Sequence, residues 1–258
     1  MLKRKSVNTV AIVLLLALAG LNFVITVPYS TYAAVLFIWL SLTVLGSFFV
    51  QWNYHLKSYH SNKAINENWV SITFDDGPNR EITPKILEIL KKNGAKATFF
   101  CVGKYMEKYP DLTNRIIEEG HTLGNHTYSH PEAFGFFGTS KVVEELRKTK
   151  SLIKELTDSD TNLYRPAFGV TNPNIEKAVK QLELKPIGWN VRSLDTTSRP
   201  VKTVLRRITS KVSKGDIILL HDTSEKTIKV LERLLVFLQE KNLRSVTVEQ
   251  LLDIDSHA

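Results

Sequence analysis

The stretch Val70-Ser71-Ile72-Thr73-Phe74-Asp75-Asp76-Gly77-Pro78 starts as a strand and ends as chemistry. Residues 70–74 are mostly β-branched and aromatic, the composition of a short buried strand. Gly77-Pro78 then turns the chain. Asp75 and Asp76 leave the strand side by side, and successive residues of an extended chain point to opposite sides. One carboxylate can therefore hold a cation while its neighbour stays free to take a proton. Alone, Asp-Gly-Pro is equally a plain turn signal.

Outward from this stretch, strands and helices alternate. Helices are predicted over residues 84–92 (capped by Thr83), 111–119, 141–157 (capped by Ser140), 173–181, 201–212 and 226–241. Strands are predicted over 97–101, 122–124, 162–165, 186–191, 216–220 and 244–248. Such alternation means an α/β fold of parallel strands with helices packed outside. The chemically interesting residues fall at or just after the C-terminal ends of these strands. That is where barrel-like α/β folds build their sites.

His126-Thr-Tyr-Ser-His130 spaces two imidazoles four residues apart, so that on a helical turn they share a face. With Asp76 they make a His, His, Asp set that leaves positions open for water and substrate. Zinc is the default ion, and cobalt, nickel, manganese or iron also suit these donors. In Arg165-Pro-Ala-Phe-Gly169, a buried arginine would need a carboxylate, and Asp75 is a candidate. In Leu219-Leu-His-Asp222, His221 ends an apolar strand and is well placed to donate a proton. Asp195, after Trp189, could fix its tautomer and raise its pKa. Read singly, each is also an ordinary turn, surface or core residue. His121 reads as structural, and His55, His60 and His257 are assigned nothing.

In this order the five motifs resemble the NodB-homology polysaccharide deacetylases, carbohydrate esterase family four, over residues 69–252. The resemblance implies a distorted (β/α) barrel and removal of an N-acetyl or similar acyl group from an amino sugar. The substrate would be a polysaccharide, peptidoglycan or lipid-linked glycan. Asp75 would be the general base, and Asp76, His126 and His130 the metal ligands. Arg165 would hold Asp75, and His221 would be the general acid tuned by Asp195. The backbone N–H of Phe168 would help stabilise the oxyanion. Four positions depart from the family's usual pattern: Ala167 replaces a proline, Phe168 a tyrosine, Arg192 an aspartate and Thr196 a tryptophan. Arg192 would meet a phosphate or carboxylate on the substrate, or form a structural salt bridge. Two other readings share these residues: a catalytically silent glycan-binding barrel and a non-haem iron oxygenase.

The 258 residues carry a formal charge of +8. Removing Lys3, Arg4 and Lys5 from the 34 basic residues leaves 31 against 26 acidic, a mild excess on predicted helix faces. Nucleic acid is not an expected partner. The single Cys101 excludes an intrachain disulfide. Residues 10–27 and 33–50 are uncharged apolar runs of membrane-spanning length. They predict a two-helix membrane hairpin over residues 1–50, a linker over 51–67 and a catalytic domain over 68–258. A cleaved signal peptide fits the same start, but a second apolar run argues against simple secretion. The expected location is a bacterial cytoplasmic membrane. Lys3, Arg4 and Lys5 on one flank and Lys57 and Lys63 on the other favour a cytoplasmic domain. Phe134, Phe136 and Phe137 are aromatic for a loop and are expected to pack on the barrel rim, or to touch lipid or substrate.

Overall fold

In the computed structural model of the protein, which describes residues 3–158 and 160–254, the opening strand is Trp69–Asp75 (β1). It sits between Ala97–Cys101 (β2) and Ile217–His221 (β7), both parallel to it. Thr122–Asn125 (β3), Leu163–Tyr164 (β4) and Lys185–Pro186 (β5) extend the sheet beyond β2, and Val191–Arg192 (β6) extends it beyond β7. Arg244–Ser245 (β8) pairs with the start of β1. All these pairings are parallel, and the sheet curls into the expected partial barrel.

Strand alternation sorts the core into two layers. Ile72, Phe74, Phe99, Ile218 and Leu220 face outward, against helices Thr83–Lys92 (α3), Val201–Thr209 (α8) and Glu225–Glu240 (α9). Phe100, Ile217 and Leu219 face inward, with Ile187 and Trp189. Helices Gly103–Lys108 (α4), Pro110–Glu118 (α5), Thr139–Thr157 (α6) and Pro173–Gln181 (α7) complete the outer layer. The stacked rings of Phe74 and Phe99, 5.0 Å apart, tie β1 to β2 in that layer. Cutting either ring to Ala costs about 3–5 kcal/mol at such a site.

Several expected boundaries move. The strand expected over 186–191 is two short strands, because the carbonyls of Ile187 and Gly188 accept from the Arg165 guanidinium at 2.7 and 3.2 Å instead of joining a ladder. The strand expected over 244–248 stops at Ser245, and helix Val248–Leu252 (α10) starts behind a Thr247/Gln250 capping box. Thr83 is the first residue of α3 rather than its cap, since its hydroxyl is engaged by Asp222. Gly138, not Ser140, precedes the helix that opens at Thr139.

Two N-terminal helices, Arg4–Leu21 (α1) and Tyr29–Phe48 (α2), pack as a hairpin, with Trp39 Nε1 donating to Asn8 Oδ1 at 2.9 Å. Both are long and apolar enough to cross a membrane. The first begins and ends about six residues earlier than the apolar run alone predicts. Residues 51–67 are packed against the barrel. Tyr59 N donates to Pro186 O at 2.9 Å, and Gly188 N donates to Tyr59 O at 2.7 Å. His257 and Ala258 lie outside the described residues.

Candidate active site

Strand register brings the motifs together. Asp75 pairs with His221 across β1 and β7, while His126 and Arg165 are the first residues after β3 and β4. The site therefore occupies the C-terminal edge of the sheet, built from β4, β3, β1 and β7 with β2 between β3 and β1.

Asp76 Oδ1 lies 3.4 Å from His126 Nε2 and 3.5 Å from His130 Nε2. One donor atom from each of the three residues falls within 4.8 Å of the others. The two histidines do not share a helical turn. The chain after β3 is an irregular loop in which Thr127 and His130 take φ of 64° and 48°, and Asp76 itself has φ of 76°. Non-glycine residues hold this left-handed region at a cost, and functional sites are where such strain collects. The Arg165 carbonyl lies 2.9 Å from His126 Nδ1, so a proton there leaves Nε2 free to face Asp76. His130 Nε2 is buried without a hydrogen-bond partner. Burial lowers the His130 pKa to about 4, helped by His126. Burial opposes the Asp76 charge, but His126, His221 and His130 outweigh it and hold this carboxyl below the usual range. A neutral imidazole and an ionised carboxylate are the ligand forms of these side chains. The donor set fits a divalent cation.

Asp75 is buried beside this set, with Oδ2 4.0 Å from His126 Nε2. Arg165 Nη1 donates to Asp75 Oδ1 at 3.0 Å and to Thr73 Oγ1 at 3.2 Å. The guanidinium is fully buried between the rings of Phe100 and Trp189, 4.2 and 5.3 Å from their centroids. Burial lowers its pKa, and the Asp75 charge counters that.

On the opposite side, the His221 Nδ1–Asp195 Oδ1 distance is 2.9 Å. Asp195 is buried and also accepts from Ser193 Oγ, Thr227 Oγ1 and His221 N, at 2.7 to 2.9 Å. Burial works against an imidazolium here. The Asp195 hydrogen bond and charge, with Asp75 and Asp76, outweigh it and raise the His221 pKa to about 9. Phe168 has φ of 56°, and its ring lies 4.6 Å from that of His130. Among the described residues no acceptor takes its N–H.

Asp222, the last residue of Leu219-Leu-His-Asp222, has a role that its motif does not signal. Fully buried, it accepts from Thr83 Oγ1, and burial raises its pKa to about 7. Its carboxylate lies where a Cβ on Gly77 would be, 2.1 Å from Oδ2, so any side chain at position 77 would have to displace it. Arg192 is exposed and lies 5.8 Å from the Trp189 ring centroid, with no carboxylate paired to it among the described residues. From the donor set a groove of about 820 Å³ runs past Val102, Tyr105 and Tyr109.

Residues 62–187 match the family model of polysaccharide deacetylases. The chain is 32% identical over 195 residues to a Bacillus cereus peptidoglycan-N-acetylglucosamine deacetylase, covering 74% of this chain and 70% of that one. The chain belongs to the polysaccharide deacetylase family. It is 31% identical over 189 residues to the Listeria monocytogenes peptidoglycan-N-acetylglucosamine deacetylase PgdA, spanning 40% of that longer protein. The solved structure of the Bacillus subtilis peptidoglycan deacetylase PdaC superposes with a TM-score of 0.69 at 30% identity, over 73% of this chain and 91% of that one. Membership makes the chain a hydrolase of amide carbon–nitrogen bonds in N-acylated amino sugars, in a family where metal dependence is the norm.

Proposed function

We propose that the chain removes acetyl groups from an N-acetylated amino sugar of the peptidoglycan type, and that the apolar hairpin anchors it in a bacterial cytoplasmic membrane. The pairing of Asp75 with His221 at the strand ends, beside a His, His, Asp donor set, carries the reading. Asp76, His126 and His130 would hold the metal ion, with zinc the ion best matched to these donors. When bound, such an ion polarises the acyl carbonyl and acidifies a water.

The chain's own groups supply the rest. Asp75 takes the proton of the attacking water, held by Arg165 as an oriented acceptor. The free N–H of Phe168 donates to the oxygen of the tetrahedral intermediate. His221, protonated at neutral pH, gives its proton to the leaving nitrogen as the carbon–nitrogen bond breaks. The products are acetate and a free amino sugar.

Substrate and membrane side go together. An extracytoplasmic domain meets the polymer, and a cytoplasmic one meets lipid-linked precursors. The lysines flanking the hairpin favour the cytoplasmic side. The test is acetate release from an N-acetylated peptidoglycan oligosaccharide by zinc-loaded protein, with paired C-terminal reporters fixing the side. Absence of acetate release by zinc-loaded protein would reject the reading.

A further inference from the structure

The domain is not tethered loosely to its hairpin. At the start of α1, Arg4 pairs with Glu176 of α7 at 3.0 Å. At the end of α2, Ser47 O accepts from Thr171 N at 2.9 Å, and Ser47 Oγ lies 2.9 Å from the buried His55 Nε2. Tyr54 is buried against Gly46 so closely that a Cβ there would lie 2.4 Å from its ring. Both helix ends on the domain side are therefore fixed to the barrel, so the barrel has one orientation relative to the hairpin.

The contact at Thr171 is also a contact with the active-site rim. Phe168 lies three residues earlier. Asn172 Nδ2 donates to Gly135 O at 2.7 Å, and Asn174 Nδ2 donates to Phe137 O at 3.1 Å. The loop after His130 thus hangs from the segment bonded to the end of α2. Its three phenylalanines divide. Phe134 is fully buried, and Phe137 is half-buried beneath Lys141, as a rim-packing reading expects. Phe136 is 92% exposed. Past α2, the exposed large apolar side chains among the described residues are Phe49, Tyr105, Phe136, Phe168 and Val236. Three of the five lie on the segments joined at Ser47. Exposed apolar rings beside a spanning helix end gain by burial at the headgroup–acyl boundary.

We infer that residues 131–137 seat in the headgroup layer of the bilayer that holds α1 and α2, with Phe136 as the inserted side chain. The inference rests on the membrane-hairpin reading above. It places the mouth of the donor set at the membrane surface, so the substrate is a glycan presented there. The groove past Tyr105 and Tyr109 is left as the path for the rest of the sugar chain.

The test uses the full chain in nanodiscs, with the buried Cys101→Ala as background. Single nitroxide labels are placed at Phe136→Cys, at Leu16→Cys in α1 and at Val236→Cys on α9. Collision rates with oxygen and with a water-soluble nickel chelate report depth. The expected result is a Leu16 label deep in lipid, a Phe136 label at headgroup depth and a Val236 label in water. A Leu16 label in lipid with a Phe136 label as wet as that at Val236 overturns the inference and leaves the hairpin intact. A Leu16 label in water overturns the hairpin reading itself. As a second measurement, Phe136→Ser should raise KM for an N-acetylated amino sugar carried on lipid in vesicles and leave a soluble oligosaccharide unaffected. Equal effects on both substrates reject insertion.

Discussion

Asp75 and His221 are register partners at the ends of adjacent parallel strands, so the proton acceptor and the proton donor of the proposed reaction face one site from two chain segments. Each is held by a buried partner of opposite charge, Arg165 for Asp75 and Asp195 for His221. Replacing Asp75 with Asn or His221 with Ala should lower kcat about 10²–10⁴-fold with KM little changed. The double variant should lose far less than the product of the two, since both groups serve one reaction. Acetate-release kinetics on the three variants checks this, and fully multiplicative losses would separate the two residues.

Arg165 is an unusual residue to bury completely. Four of its five N–H groups donate to Asp75, Thr73 and two carbonyls. Arg165→Met leaves Asp75 charged and unpaired and should cost about 3–5 kcal/mol of stability. Arg165→Lys keeps the charge but not the planar fork and should also be destabilising. Urea unfolding measures both; a Met variant as stable as the parent would mean Asp75 finds another partner.

How much of this was legible in the sequence follows from what each feature depends on. β1, β2 and β7 were readable because their apolar runs are buried on both faces, and the last residues of β1 and β7, Asp75 and His221, announced the chemistry. The break at residues 187–190 was not, because a guanidinium from another motif, not a local signal, takes the carbonyls there. The helix at Val248 was readable in principle, since Thr247 and Gln250 carry capping-box spacing. For His126 and His130, the spacing was informative and the assumed helix was wrong, because the positive φ of Thr127 and His130 comes from the loop. Asp222 stayed silent because its partners Thr83 and Gly77 come from a distant part of the chain.

His221 acts as an acid only while protonated, and Asp195 is the main group that raises its pKa to about 9. Activity should therefore fall as pH rises through the His221 pKa. A divalent cation at Asp76 opposes the imidazolium, so this limb falls at or below about pH 9. Asp195→Asn should move the limb to lower pH, with a fall in kcat near neutrality. A pH profile of kcat for both proteins checks it. An unmoved limb would show that another group sets it.

Asp222 holds its proton up to about pH 7 in the folded chain, against 3.8 for the free side chain. Between those values the folded state binds more protons than the unfolded one, so this group makes stability fall as pH rises through the window. Below it the carboxyl is neutral in both states, and above it the cost is complete. Asp222→Asn removes the titration. Its stability relative to the parent should therefore rise between about pH 4 and about pH 7 and then level off. Urea unfolding in chelator across that range tests it; a constant difference would mean the carboxyl titrates normally.

The donor set makes a prediction that needs no turnover. A ligand that binds only the folded chain stabilises it by mass action, by about 2.7 kcal/mol at a hundredfold excess over Kd. Asp76, His126 and His130 have their donor atoms converging, whereas Asp75 is turned toward Arg165. Chelator-treated protein should gain thermal stability on titration with zinc. Asp76→Asn and His130→Ala should lose most of that gain, and Asp75→Asn should keep it. His126→Ala should lose the gain as well, and it also frees the Arg165 carbonyl that orients this ring. Differential scanning fluorimetry across a zinc series separates the two adjacent aspartates. Equal loss of the zinc response in Asp75→Asn and Asp76→Asn would mean that both carboxylates bind the ion, and the division of labour between metal ligand and proton acceptor would fall.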